Sequence, residues 1–173
     1  MSTQIAMEPR ASYDHAICAA CGGECCRRMA GACSPADIAR LFPAADLRSS
    51  VLLALRSGRY AVDWWEAEPL IPFVRAAVKG HEGRLHHPAW AGECTFFNGG
   101  CELSDDDRPH QCRILRPREN GECEMPPGYE SKLAYAEMWG ATGIDLMEIG
   151  LDLSGASSDE SGTEGGDEDG HAE

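Results

Sequence analysis

The sequence predicts a small, irregular α+β domain in which short helices and one β-hairpin surround a cysteine-ligated metal centre. Three observations lead to this prediction. Capped amphipathic helices fill the first third of the chain, two β-branched and aromatic runs follow them, and most of the nine cysteines fall into two clusters. The length of 173 residues fits one domain, and a hydrophobic fraction of 43% is enough for a modest core.

Composition divides the chain into three parts. Residues 1–11 are a predicted flexible leader, residues 12–153 a predicted cysteine-cluster metal-binding domain, and residues 154–173 a predicted disordered acidic tail. The tail holds seven acidic residues and no Lys or Arg, which is half of the formal net charge of −14. Because Gly, Ser and acidic residues dominate the tail, it cannot bury enough apolar surface to fold.

Local signals predict the order of elements within the domain. Ser34 as an N-cap before Pro35 begins one helix, and Asp46 caps the next. The expected helices cover about 12–20, 34–42, 46–57, 129–139 and 144–153, and the expected hairpin pairs 59–65 with 70–78.

The stretch from Lys79 to Pro127 is rich in Gly, Pro, Asp and His, which predicts little regular structure. Such a segment forms a poor core unless another interaction orders it, and metal coordination is one such interaction. We therefore expect removal of a bound metal to unfold the middle of the protein.

The first cysteine cluster is Cys18-x2-Cys21-x3-Cys25-Cys26, four thiols within nine residues. Thiolates are soft, charged donors that bind zinc, copper(I) and iron, and a two-residue spacer lets neighbouring sulfurs reach one ion. Because two consecutive residues rarely point at one tetrahedral ion, either one of Cys25 and Cys26 is a spectator or the two serve different metals.

The second cluster is Cys94-x6-Cys101-x10-Cys112. Its residues alone leave ligation and simple packing as equal alternatives. Arg108 and Arg113 flank the last cysteine, where they are expected to lower thiol pKa values and offset thiolate charge. Seven thiolates exceed the four that one zinc ion or one cubane cluster takes, which indicates more than one metal or some unligated cysteines.

Taken together, Cys18-x2-Cys21-x3-Cys25-Cys26, Cys94, Gly100-Cys101 and Arg108-Pro109-x2-Cys112-Arg113 resemble the YkgJ-type cysteine-cluster family over residues 15–118. That family is described as a zinc- or iron-chelating CxxCxxCC domain. The resemblance implies a common set of ligands: Cys18, Cys21, Cys25, Cys26, Cys94, Cys101 and Cys112. Cys33 and Cys123 lie outside the matching segments, and packing as small hydrophobic residues is the favoured expectation for both. The alternative is that either one completes a set of eight thiolates, which suits two four-coordinate sites. His110 is expected either to support a ligand without contacting the metal or to face solvent.

The sequence contains no Ser-His-Asp order, phosphate loop or dinucleotide fingerprint, so no catalytic motif is apparent and any enzymatic activity would have to rest on the metal itself. The acidic charge argues against nucleic-acid and membrane partners, which leaves a metal ion as the expected partner. The absence of a signal peptide and of a long apolar run predicts a cytoplasmic protein, where thiols stay reduced.

Three functions agree with these observations. The first is a metal-binding protein that coordinates zinc or iron, an iron-sulfur cluster included, and this is the one that we favour. The alternative is an iron-sulfur redox or electron-transfer protein or a metal-dependent enzyme. An iron-sulfur cluster would give the purified protein a brown colour. The third is a disulfide-bonded or thiol-redox interaction protein, which would bind no stoichiometric metal.

Overall fold

A computed structural model describes residues 22–66, 68–83, 92–117, 123–129 and 132–156. Residues 116–117 and 154–156 are described by their backbone only. Cys18, Cys21, the leader, the predicted helix over 12–20 and most of the predicted tail lie outside the described residues. Within them the structure is α+β, as predicted: short helices pack around a two-stranded antiparallel hairpin.

The first three helices follow the signals in their sequences. Helix α1 covers Glu24–Arg28, α2 Pro35–Leu41 and α3 Leu47–Arg56. Ser34 and Asp37 form a reciprocal capping box at the start of α2, and the Asp46 side chain caps α3.

The hairpin consists of β1, Tyr60–Trp65, and β2, Ile71–Ala76, paired in register from Tyr60 opposite Ala76 to Trp65 opposite Ile71. This confirms the predicted hairpin. The half nearest Tyr60 and Ala76 is buried on both faces. There Arg75 and Asp63 form an ion pair of 2.6 Å with both side chains fully buried.

Non-local backbone pairings extend the hairpin toward both cysteine clusters. Residues 31–33 lie beside β2, where Cys33 N donates to Val74 O (2.9 Å) and Ala76 N to Gly31 O (3.0 Å). Beyond the end of β2, Thr95 N donates to Ala77 O at 3.0 Å. Segments far apart in the sequence therefore meet at one end of the hairpin.

The later elements are short. Helix α4 covers His110–Ile114, β3 Arg116–Pro117, β4 Cys123–Glu124, α5 Leu133–Gly140 and α6 Leu146–Ala156. Helix α5 begins four residues after the expected Tyr129, and α6 continues three residues past Leu153 into the predicted tail.

The core lies between the hairpin and the helices. Its largest fully buried apolar side chains include Trp139, Tyr135, Phe73 and Ile38, and the Trp139 indole donates to Cys33 O at 2.8 Å. The middle of the chain contributes more than its composition predicts, because Val78, Cys94, Phe96 and Phe97 are buried in the same cluster. In the described part of the chain, no helix is both long and apolar enough to cross a membrane.

Candidate metal centre

Helix α1 places Cys25 and Cys26 side by side at the end of a tight turn. Gly22 and Gly23 precede the helix with φ values of 66° and 75°, a left-handed conformation that favours glycine. A Cβ on Gly23 would lie 2.5 Å from Cε2 of Phe97. The turn can therefore pack against Phe97 only with glycine at this position.

The two cysteine clusters are joined by backbone hydrogen bonds. Cys94 N donates to Cys26 O at 2.7 Å, and Gly92 N donates to Arg28 O at 3.0 Å. The segment that follows α1 thus pairs directly with the segment that carries Cys94.

A tight turn over residues 98–100 brings Cys101 back toward Cys94. Phe97 and Cys101 form an antiparallel bridge, and Glu102 N donates to Phe96 O at 2.8 Å. Arg59 holds this turn from the start of the hairpin, because its guanidinium lies 4.0 Å from the Phe96 ring centroid and donates to Thr95 O at 2.9 Å.

Helix α4 positions Cys112 against the strand-like residues 31–33. The Gln111 side chain accepts from Ala32 N at 2.7 Å, and Gln111 N donates to Ala32 O at 3.3 Å. A Cβ on Gly31 would lie 2.3 Å from Sγ of Cys112. Only a residue without a side chain leaves room for this sulfur.

Asp37 anchors the other side of α4. Its buried carboxylate accepts from His110 N at 2.7 Å and from Ser34 N at 2.9 Å, and it forms an ion pair with Arg113. One carboxylate therefore ties the start of α2 to the helix that carries Cys112.

These elements line one partly open cavity of about 650 Å³. Six cysteines line it: Cys25, Cys26, Cys94, Cys101, Cys112 and Cys123. Its other walls are mainly apolar and include Met29, Phe96, Leu103, Leu115 and Met125. The structure thus brings together the five predicted ligands that it describes, from both clusters, and adds a sixth cysteine.

Cys123 lies at this site, although packing as a small hydrophobic residue was the favoured expectation for it. It lies on β4, which pairs with β3 immediately after α4. Cys101, Cys112 and Cys123 are spaced evenly, eleven positions apart, and this regularity was the one sequence signal for the third member. Cys33, in contrast, packs in the core as expected, fully buried.

His110 does not line the cavity. Its Nδ1 lies 3.0 Å from the hydroxyl of Tyr135, and its ring packs against Tyr129 with centroids 5.3 Å apart. The side chain of this first residue of α4 thus packs between two tyrosine rings.

The adjacent thiols of Cys25 and Cys26 interact with each other, with sulfurs 4.0 Å apart. Hydrogen bonding from Cys26 lowers the pKa of Cys25 to about 6, while the same contact raises the pKa of Cys26. Both side chains line the cavity.

Burial is the main influence on the pKa of two thiols in the second cluster. It raises the pKa of Cys112 and of Cys94 above the usual thiol value. Arg108 lowers the pKa of Cys112, as the sequence led us to expect, but its effect is smaller than that of burial.

The seven cysteines that the structure describes are free thiols. Across the described ranges, no group of three or more His, Cys, Asp or Glu side chains converges closely enough to hold a metal ion. The cysteine-ligated centre therefore stays a prediction, although the five expected ligands within the described residues line one cavity.

No family model, curated protein or solved structure matches this chain. The likeness to the YkgJ-type family accordingly rests on the motif residues alone. The functional argument has to be made from the cavity itself.

Proposed function

We propose that the chain is a metal-binding protein that coordinates zinc or iron through clustered cysteine thiolates. The proposed ligands are Cys18, Cys21, Cys25, Cys26, Cys94, Cys101 and Cys112. The observation that carries the proposal is the single cavity onto which cysteines of both clusters open. Reduced thiols are the form that binds metals, and the proposal places the protein in the reducing cytoplasm.

The donor set suits a soft metal. Sulfur donors select zinc, copper(I) and iron over magnesium and calcium, which prefer oxygen ligands. Two thiolates on one tetrahedral zinc ion lie about 3.8 Å apart if each zinc–sulfur bond is about 2.3 Å. The 4.0 Å between the sulfurs of Cys25 and Cys26 is close to that separation.

The remaining sulfurs have to move inward to share an ion. A cysteine side chain has one rotatable bond before its sulfur, and a change of rotamer moves that sulfur by about 3 Å. The backbone pairings already hold the two cysteine clusters next to each other. Metal binding therefore requires side chains to rotate, which is a smaller rearrangement than the folding of a loop.

Nearby guanidinium groups favour a charged centre. Burial raises the pKa of Cys94 and of Cys112, and Arg59 and Arg75 at Cys94 and Arg108 at Cys112 oppose that rise. Several thiolates around a divalent ion carry net negative charge, which these groups partly offset.

An iron-sulfur cluster is a second candidate on a specific observation. The cavity of about 650 Å³ is larger than a single ion requires, and apolar side chains such as Phe96, Leu103 and Leu115 form much of its wall. An apolar cavity lined by thiols suits an iron-sulfur cluster, because the reduction potential of such a cluster depends on solvent exposure and on hydrogen bonds to its sulfurs.

Elemental analysis of protein purified without oxygen, combined with ultraviolet-visible spectra, tests the proposal. We expect stoichiometric zinc in colourless protein, or iron in brown protein with visible absorption. Wild-type protein that contains no stoichiometric metal and takes up neither added zinc nor added iron would overturn it.

Single substitutions provide the control. Cys26→Ser and Cys112→Ser change one ligand from each cluster and should each lower the bound metal. Cys33→Ala changes a cysteine that is buried away from the cavity, and it should leave the metal content unchanged.

A further inference from the structure

Two methionines line the cavity, each close in sequence to one of its cysteines. Met29 follows Cys25 by one helical turn at the end of α1, where Met29 N donates to Cys25 O at 2.9 Å. Met125 comes two residues after Cys123, directly beyond β4. Exposure alternates along residues 123–125, from partly buried to exposed and back, so Cys123 and Met125 share one face of the extended chain. Local structure therefore places both thioethers beside thiols of the candidate centre.

The side-chain donors that the cavity offers a metal are almost all sulfur. Among the described residues that line it, Glu24 and Gln111 are the two with a side-chain oxygen. Both are engaged: Glu24 Oε1 pairs with Arg28 at 2.6 Å, and Gln111 Oε1 accepts from Ala32 N at 2.7 Å. What remains is a set of six thiols and two thioethers.

Thioether sulfur distinguishes one soft metal from another. Zinc in proteins is bound by thiolate, imidazole and carboxylate groups. Copper sites also use the neutral thioether of methionine, because copper(I) is a soft ion that binds polarisable sulfur well. A cavity in which thioethers accompany thiols therefore favours copper(I) over zinc.

Met29 is also accessible from outside the cavity. Its side chain is 40% exposed, and it lines a cavity that is partly open to solvent. A neutral, soft donor in this position can bind an incoming copper(I) ion before the deeper thiols do.

We infer that the cavity binds copper(I) as well as the proposed zinc or iron, and that Met29 and Met125 contribute their sulfurs to the copper ion. The cysteine thiols remain the main ligands, so this inference rests on the metal-binding function proposed above. It adds a further metal and two ligands of another chemical class.

Copper(I) competition on the full chain tests the inference. The protein is reduced, stripped of metal and titrated without oxygen against a chromophoric chelator specific for copper(I), and zinc affinity is measured in parallel. Leucine keeps the apolar volume of methionine but has no sulfur. We expect Met29→Leu/Met125→Leu to bind copper(I) about 10-fold more weakly, the lower end of what groups around a metal contribute, with unchanged zinc affinity.

Met138→Leu is the matched control, because the side chain of Met138 packs against the apolar core. It should change neither affinity. Methionines that serve only as apolar wall would leave copper(I) affinity unchanged in the double variant. Equal losses for copper and zinc would mean that the substitutions disturb the cavity, and either result would overturn the inference.

Selenomethionine labelling gives a direct readout. In labelled, copper-loaded protein, X-ray absorption at the copper edge should show selenium in the first shell, and this signal should disappear in the double variant. A copper shell without selenium would overturn the inference.

These measurements separate the inference from the proposed function. A wild type that takes up zinc or iron but shows no copper–selenium contact overturns the inference alone. Methionine-dependent copper(I) binding in a chain that takes up neither zinc nor iron supports the inference and overturns the proposed choice of metal. A chain that binds none of the three metals overturns both.

Discussion

Gly31 lies directly against the sulfur of Cys112, where a Cβ would come within 2.3 Å of it. An alanine at this position would push the sulfur, and with it α4, away from the strand-like residues 31–33. Displacement of a supporting contact around a metal commonly costs about 10–100-fold in affinity. We predict a loss in that range for Gly31→Ala, measured by competition with a chromophoric chelator.

Gly140→Ala is the matched control for this substitution. Its Cβ would meet nothing nearer than Cγ2 of Ile71 at 3.8 Å, which is an ordinary contact. Metal affinity should be unchanged in this variant. Wild-type affinity in Gly31→Ala would mean that the position of Cys112 is irrelevant to binding.

Lys132 shows how burial sets a pH dependence. Burial lowers the pKa of Lys132 from the usual 10.5 to about 7. The positive charge of Arg75 also lowers this pKa, whereas the negative charge of Asp63 opposes the shift. Between these two pH values the unfolded chain binds more protons than the folded chain, so this group makes stability rise with pH. Below pH 7 the folded protein carries the full cost of burying the charge.

We therefore predict that Lys132→Met raises the melting temperature at pH 6, and that the gain shrinks as the pH approaches 10. Thermal melts of chelator-treated protein at both pH values measure it. Lys79→Met is the control, since the ammonium of Lys79 is 41% exposed and pairs with Glu93 at the surface. An equal gain at both pH values would show that the charge of Lys132 is not the cause.

At the scale of elements, the hairpin depends on one buried ion pair. Arg75 and Asp63 are fully buried, and burial raises the pKa of Asp63. Removal of one partner leaves an uncompensated charge in the core. We predict that Arg75→Met lowers the unfolding free energy by about 3–5 kcal/mol in denaturant titrations.

The double variant Asp63→Leu/Arg75→Met removes both charges and should recover most of that loss. If it is as unstable as Arg75→Met alone, the packing of the arginine, and not its charge, is what the hairpin requires.

Elements with local signals were predictable, and those built from distant pairings were not. Ser34 followed by Pro35 and Asp37 encodes a helix start within four residues, and the structure has it there. The strand-like residues 31–33 depend on β2, which lies far along the chain. The β3–β4 ribbon pairs nearby residues, but its strands of two residues each are too short to show a periodic pattern. No local pattern specifies such pairings.

The candidate site, too, was predictable only in part from the sequence. The motif predicted the cysteines of both clusters, but not the contacts that bring them together, such as Gln111 with Ala32 or Cys94 with Cys26. Cys123 was missed because its even spacing from Cys112 implies nothing until the ribbon is seen to fold back onto the cavity.

At the scale of the whole molecule, the apolar core and the cysteine cavity are adjacent but are stabilised by different interactions. The hairpin and α5 bury large side chains such as Phe73 and Trp139. Around the cavity, residues 92–102 and α4 bury few large side chains, chiefly Phe96 and Phe97, and are otherwise held by hydrogen bonds, short bridges and one ion pair. A bound metal would therefore stabilise the second region more than the first.

Hydrogen–deuterium exchange with and without a chelator measures this difference. We predict that metal removal speeds amide exchange in residues 92–102 and 110–114 while β1 and β2 stay protected. Uniform acceleration would mean that the metal supports the entire fold, and identical exchange would mean that it supports neither region.

The account depends on sulfur atoms of both clusters binding a common centre, and X-ray absorption of the metal-loaded protein tests this most directly. We predict a first shell of sulfur at about 2.3 Å for zinc, from which Cys26→Ser and Cys112→Ser each remove sulfur. A shell of nitrogen and oxygen at about 2.0–2.1 Å, or a sulfur shell that neither substitution changes, would contradict it.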